Sequence, residues 1–233
     1  MADNKILQIY KSLYEKYGAQ GWWPFINDGG YHPKKYDFPK DENQIFEVCL
    51  GSILTQNTTF TSVVKSLQNL NAMECLDYRC IKKMPSKELK TAIRPSGYFN
   101  QKAAYILEFI DFFEKLDGRT PSRTELLHVK GVGPETADSI LLYAYNEPEF
   151  VVDAYTKRML IHLGLIEESA KYHDIKELMQ QEIQKEVKEA KELVVLYQEF
   201  HALIVAHAKR CYSKKPYGVG CFLDIISSKK SRD

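Results

Sequence analysis

Two stretches of the chain carry residue types that do chemistry in a fixed order. In Leu126-Leu127-His128-Val129-Lys130-Gly131-Val132-Gly133-Pro134-Glu135-Thr136-Ala137, two glycines stand between apolar helical segments. Bare backbone at that point can approach a phosphate, and the amides that open the second helix can receive it. A plain turn between helices accounts for the same two glycines equally well. A contact of this kind reads a nucleic-acid backbone and carries no base information. Twenty residues after Gly133, Asp153 follows Val151-Val152 and opens Ala154-Tyr155-Thr156-Lys157-Arg158. A carboxylate there either caps a helix or, in a dry site, stabilises positive charge and orients or deprotonates a water. Near the N-terminus stands Trp22-Trp23-Pro24. Two adjacent indoles do not easily enter one core, so one is a candidate wall for a ligand; the alternative is that both pin the first helix to the body.

The elements that must position these residues are helical. Ile6, Ile9, Tyr10, Leu13, Tyr14 and Tyr17 form the stripe of an amphipathic helix that Gly18 ends. Residues 21 to 41, with Gly29-Gly30 and Pro33, form an irregular connection, and helical spacing resumes at Ile45, Phe46, Cys49, Ile53 and Leu54. Helices are predicted over 59 to 70, 86 to 93 with a capped start at Ser86 after Pro85, and 100 to 115. Ser122 and Glu125 have capping-box spacing ahead of Leu126 and Leu127. Pro134 suits the first turn of the next helix, whose buried side is Ile140, Leu141, Tyr143 and Ala144. A helix from Asp153 to Gly164 and two long charged helices from Asp174 to about Ala208 complete an all-α chain.

At 233 residues, with 44% hydrophobic and 27% charged residues, the chain has the composition of a globular protein large enough to bury its own core. No apolar run is long enough to span a bilayer and the N-terminus lacks a basic-then-apolar signal, so a cytoplasmic protein without membrane contact is expected. Cys49, Cys75, Cys80, Cys211 and Cys221 are an odd count at irregular spacing. They are expected as reduced thiols. A net charge of +1 neither demands nor excludes nucleic acid, which needs positive charge on one face only.

On these residues the chain resembles the helix-hairpin-helix DNA glycosylases of the endonuclease III superfamily over nearly its whole length. Leu126 to Ala137, followed by Val152-Asp153 and Arg158, matches the family's L-x-x-L/V-x-G-V-G-x-x-T-A hairpin and its later V-D motif with an arginine one turn on. Leu54-Thr55-Gln56-Asn57-Thr58 looks like the segment that fills the gap left by a flipped base, and Gly97-Tyr98-Phe99-Asn100-Gln101-Lys102-Ala103 looks like the wedge loop. The resemblance implies two helical domains flanking a DNA-binding cleft, here residues 1–40 with 148–233, and 41–147. It implies Asp153 as the catalytic carboxylate, Gln56 in the vacated stack and Tyr98 or Phe99 as the wedge. Asn57, Lys102, Lys130, Gly131, Val132, Gly133 and Thr136 are the further DNA contacts, and the carbonyls of Leu127, Val129 and Val132 hold a monovalent cation.

Departures from the family pattern narrow the reading. Members that also nick the strand through a Schiff base place a lysine second after G-V-G, where this chain has Glu135. A monofunctional enzyme that leaves an abasic site is therefore expected. The family's iron-sulfur loop needs C-x6-C-x2-C-x5-C, and the four positions here hold Cys211, Gly218, Cys221 and Ser227. No cluster and no other cofactor is expected. His201 and His207, six apart, point to different helix faces and are expected in core or surface roles instead of as zinc partners of the two cysteines. Lys209, Arg210, Lys214 and Lys215 form a basic loop, either solvated or in contact with phosphate.

The W-W-P start, L-T-Q-N-T, Phe60, Arg94-Pro95-Ser96-Gly97-Tyr98 and the absent lysine are most similar to the bacterial endonuclease III-like 3-methyladenine glycosylases. That similarity implies excision of alkylated purines from double-stranded DNA by a monomer, nucleoid-associated if bacterial. Such bases are cationic, and an aromatic pocket attracts a desolvated cation by about 2 kcal/mol. Trp22, Trp23, Pro24, Phe60, Glu135 and Lys209 are the candidate pocket. Glu135 is equally a favourable acid in the first turn of a helix. The alternatives are a glycosylase for deaminated or mismatched bases and a DNA-binding module that has lost catalysis.

Overall fold

A computed structural model describes residues 4–227, and among these the fold is all-α, with eleven α-helices, two short 3-10 helices and a single isolated antiparallel bridge between Phe25 and Gly30. The helices are α1 Lys5–Tyr17, α2 Glu42–Leu54, α3 Phe60–Ala72, α4 Tyr78–Lys83, α5 Ser86–Ala92, α6 Phe99–Leu116, α7 Arg123–His128, α8 Pro134–Ala144, α9 Ala154–His162, α10 Tyr172–Gln184 and α11 Ala190–Cys211. No helix among the described residues is long and apolar enough to cross a membrane.

Short polar side chains set most of the helix starts. Asn4, Asp41, Thr59, Asp77, Ser122 and Asp153 each accept a hydrogen bond from an amide in the turn they open, and Ser122 with Glu125 completes a capping box. Ser86 departs from its expected role. It is the first residue of α5, and Pro85 holds the cap position without a side-chain bond. Helix α4 was not predicted, and it comes with a second correction. Cys75 and Cys80, expected as free thiols, form a disulfide across the start of α4, their Cα atoms lying 5.3 Å apart, within bonding range.

The chain divides into two compact units, residues 23–147 and residues 1–22 with 148–233. In the central unit α2 is the axis, buried continuously from Phe46 to Leu54 and packed by α3, α6 and α8. In the terminal unit α1 lies on α10 and α11, and α9 on α11, around Ile9, Leu13, Phe150, Tyr197 and Phe200. The sequence-based division placed residues 23–40 with the N-terminal helix, whereas they pack on the central unit. The Ile26 amide donates to the buried Glu47 carboxylate at 2.8 Å, Asn146 Nδ2 donates to the Phe38 carbonyl at 3.1 Å, and Phe25, His32 and Phe38 stack on one another. Apolar side chains in an irregular segment found their burial there, and they carried the segment with them.

Candidate active site

The glycine hairpin is held by the helices on either side of it. The guanidinium of Arg123 on α7 donates from Nε and Nη2 to the two oxygens of Asp138 on α8, at 2.7 and 3.3 Å, and Asp138 is fully buried. A forked pair of this kind fixes the angle between the two helices. Between them the Val132 amide donates to the Val129 carbonyl at 3.0 Å and closes a tight turn. Gly131 lies in the left-handed region at φ +89° with the Tyr105 ring of α6 flat against it: a Cβ there would stand 2.2 Å from Cγ of that ring. Gly133 is exposed and extended, and it precedes the first-turn amides of α8, which have no intrahelical acceptor. Lys130 and Leu127 are exposed beside the turn. Val132 and Thr136, expected to meet DNA, are buried, so at Val132 only backbone is left for that role.

Gln56, in the turn after α2, reaches this hairpin. Its Nε2 donates to the Gly131 carbonyl at 2.8 Å and to Thr136 Oγ1 at 3.1 Å. Asn57 beside it is exposed and left-handed at φ +53°. The segment expected as the wedge loop presents Tyr98 in the same conformation, at φ +47° and 66% exposed, while Phe99 is half-buried at the start of α6. Of the two wedge candidates, Tyr98 is the one at the tip.

Lys102 corrects the sequence reading most clearly. Expected to contact DNA, it is 2% exposed, and its ammonium donates to the Leu54 carbonyl at 2.8 Å and the Ser96 carbonyl at 2.7 Å. Burial holds it at about 8, below the usual lysine value. It ties the end of α2, two residues before Gln56, to the turn that presents Tyr98. Lys102→Met keeps the stem and strands two inward-facing carbonyls, so the urea midpoint is expected to show a loss of roughly 2 kcal/mol or more.

In the terminal unit Asp153 caps α9. Its Oδ1 accepts from the Thr156 amide at 2.7 Å and from Thr156 Oγ1 at 2.8 Å. Its Oδ2 points the other way, 3.8 Å from Nε2 of His201 on α11. The capping bonds therefore use one oxygen of the carboxylate, and the other faces His201. Burial lowers the His201 pKa and the Asp153 charge only partly opposes this, so the imidazole is held toward its neutral form. No sequence spacing pointed to this pairing, since 48 residues separate the two. Arg158, one turn into α9, donates to the Tyr212 carbonyl at 3.2 Å and lies over the Tyr217 ring.

The pocket candidates separate. Trp23 is 5% exposed, its indole edge-on to Phe60 and against Tyr143, so it is a core residue of the central unit and not an open wall. Pro24 is buried with it, whereas Trp22 and Phe60 are half-buried. Glu135 and Lys209 are exposed, the former in the first turn of α8 and the latter near the end of α11.

Comparison with known proteins decides the family. The HhH-GPD superfamily model, described as a base excision DNA repair protein, matches residues 50–185. The chain belongs to this superfamily. An inferred DNA repair glycosylase of Methanocaldococcus jannaschii is 38% identical over 235 residues, covering 95% of this chain and 96% of that protein. Endonuclease III of Sulfolobus acidocaldarius is 31% identical, covering 93% and 92%. The crystal structure of an H. pylori 3-methyladenine DNA glycosylase bound to 1,N6-ethenoadenine matches with a TM-score of 0.69 at 30% identity, over 88% of this chain and 96% of that one. The protein is thus an HhH-GPD DNA glycosylase of base excision repair.

The C-terminal loop does not supply the four thiolates that a four-iron cluster takes. At Gly218, φ +81°, a Cβ would stand 2.2 Å from the His162 ring, so a cysteine has no room there. Ser227 donates its hydroxyl to the Leu163 carbonyl at 3.2 Å. Two of the four ligand positions are given over to packing, and two thiols remain.

Proposed function

We propose that this enzyme is a monofunctional glycosylase that flips alkylated purines of the 3-methyladenine type out of duplex DNA and hydrolyses the N-glycosidic bond, acting as a monomer without a four-iron cluster. The observation that carries the reading is Asp153, whose capping bonds take one oxygen and leave Oδ2 beside a histidine held toward neutrality. Breaking the bond between base and sugar leaves positive charge at C1′, which a carboxylate in a water-poor site stabilises. Water attacks C1′, its proton passes to Oδ2 of Asp153, and the base departs with the bonding pair. An alkylated purine is already cationic and needs no added proton to leave.

Two observations support the finer assignment. Glu135 stands where a lyase lysine would, and a carboxylate forms no imine, so hydrolysis ends at an abasic site. The H. pylori relative, at 30% identity, is a 3-methyladenine glycosylase. On this reading the exposed backbone at Gly133 receives a phosphate and Tyr98 enters the duplex as the wedge. A second reading, excision of another class of damaged base, is favoured by the 31% identity to an endonuclease III. Free bases released from methylated, hypoxanthine, uracil and mismatched duplexes would be separated by chromatography, with borohydride added to parallel reactions. Release of 3-methyladenine without a trapped protein–DNA adduct is expected. Release from only the other duplexes would overturn the substrate assignment, and a trapped adduct would overturn the monofunctional one.

A further inference from the structure

Two thiols and one imidazole converge between the end of α11 and the loop that follows it. The ligand atoms of His207, Cys211 and Cys221 all lie within 4.8 Å of one another. His207 and Cys221 are buried, at 1% and 4% exposure, and Cys211 is half-buried at the end of α11. His207 Nε2 lies 3.2 Å from Cys221 Sγ, and its Nδ1 lies 3.0 Å from the Tyr17 hydroxyl. One ring nitrogen thus faces sulfur while the other is oriented by an outer partner, the arrangement found behind metal-binding histidines. The Tyr212 hydroxyl donates to the same Cys221 sulfur at 3.2 Å.

We propose that His207, Cys211 and Cys221 hold a single zinc-class ion. Tetrahedral coordination with metal–sulfur bonds near 2.3 Å sets neighbouring ligand atoms about 3.5–3.8 Å apart, so closure around the ion needs a shift of about 1 Å or less. Two thiolates balance a divalent charge and the buried site stays neutral overall, which a buried group requires. Three protein donors leave the fourth position to water on the partly exposed Cys211 side. Binding replaces two S–H bonds with two S–metal bonds and releases two protons. The ion joins the end of α11 to the loop that begins the last 3-10 helix, Phe222–Ile226, and through Tyr17 it reaches α1.

The expectation that discounted zinc considered the two helical histidines together, and they do diverge: His201 turns to Asp153 and only His207 meets the cysteines. The test uses the full chain with its Cys75–Cys80 disulfide intact, freed of metal by chelation and titrated anaerobically with Co2+ alone. Sulfur-to-cobalt charge-transfer absorption and tetrahedral d–d bands are expected to saturate at one ion per chain, with two protons released in weak buffer, and Zn2+ should bleach them. Cys211→Ser, Cys221→Ser and His207→Gln should each weaken binding by at least about tenfold, and Tyr17→Phe by about tenfold. Cys49→Ser, at a buried thiol in the other unit, should bind as the parent does. Absence of the charge-transfer band in the unsubstituted chain overturns the proposal. So does its persistence when both Cys211 and Cys221 are replaced. The titration of the parent chain decides even if a variant fails to fold, and glycosylase activity does not enter the readout.

Discussion

Asp153→Asn is expected to cut release of free base from methylated duplex by about 10²–10³-fold, the loss typical of removing one preorganised electrostatic group from an active site. The same change should move folding stability by less than about 1 kcal/mol, because asparagine caps a helix as well as aspartate does. Its side-chain oxygen can still accept from the Thr156 amide and hydroxyl, as Oδ1 does now. Only the charge is lost, together with the capacity of Oδ2 to take a proton. Single-turnover base release, set beside a urea melt of each protein, separates the roles. Equal release by the two proteins would reduce Asp153 to a cap and remove the mechanism.

The hairpin glycines should differ in what substitution does to folding. Gly131→Ala forces a left-handed backbone, at about 1–2 kcal/mol, and drives a Cβ into the Tyr105 ring, at about 1–3 kcal/mol more. A loss of roughly 2 kcal/mol or greater is expected in the urea midpoint, with DNA affinity falling alongside it. Gly133 is already extended at φ −93°, and a Cβ built on it meets nothing within 4 Å. Gly133→Ala should therefore fold with a cost within about 1 kcal/mol, that of a poorer cap. On the proposed phosphate contact, its affinity for duplex DNA nevertheless falls, and by the same factor for damaged and undamaged sequences. Unchanged affinity in a well-folded Gly133→Ala protein would move the phosphate contact elsewhere.

Local rules made much of this molecule readable. The Ser122–Glu125 capping box, the proline opening α8 and the apolar stripe of α1 are each decided within one or two turns, and the helices they predict are present. What escaped was decided by residues far apart in sequence. His201 gives no sign in its own neighbourhood that it will face Asp153, and the Arg123–Asp138 fork joins two helices across the turn. Lys102 was legible in principle. It stands on the same face of α6 as Ile106, Phe109 and Phe113, all buried, so helical periodicity places it inward even though its charge reads as a surface contact. Trp23 shows the converse limit. An irregular segment has no period from which to read its burial, and Phe60 and Tyr143 supply that burial from elsewhere in the chain.

The amide of Gln56 acts as a clasp between two segments 75 residues apart. Two hydrogen bonds at about 1 kcal/mol each keep the side chain on its own protein, so before DNA arrives the outward rotamer is a minority of roughly a few per cent. On the proposed reading, filling a vacated stack means opening that clasp. A site that offers Gln56 no replacement partners leaves it closed, and an intact, fully stacked duplex is such a site. Changes that loosen Thr136 or the Gly131 carbonyl would raise the open population without touching DNA. The grip of the hairpin and the readiness to probe are thereby set by one conformational equilibrium.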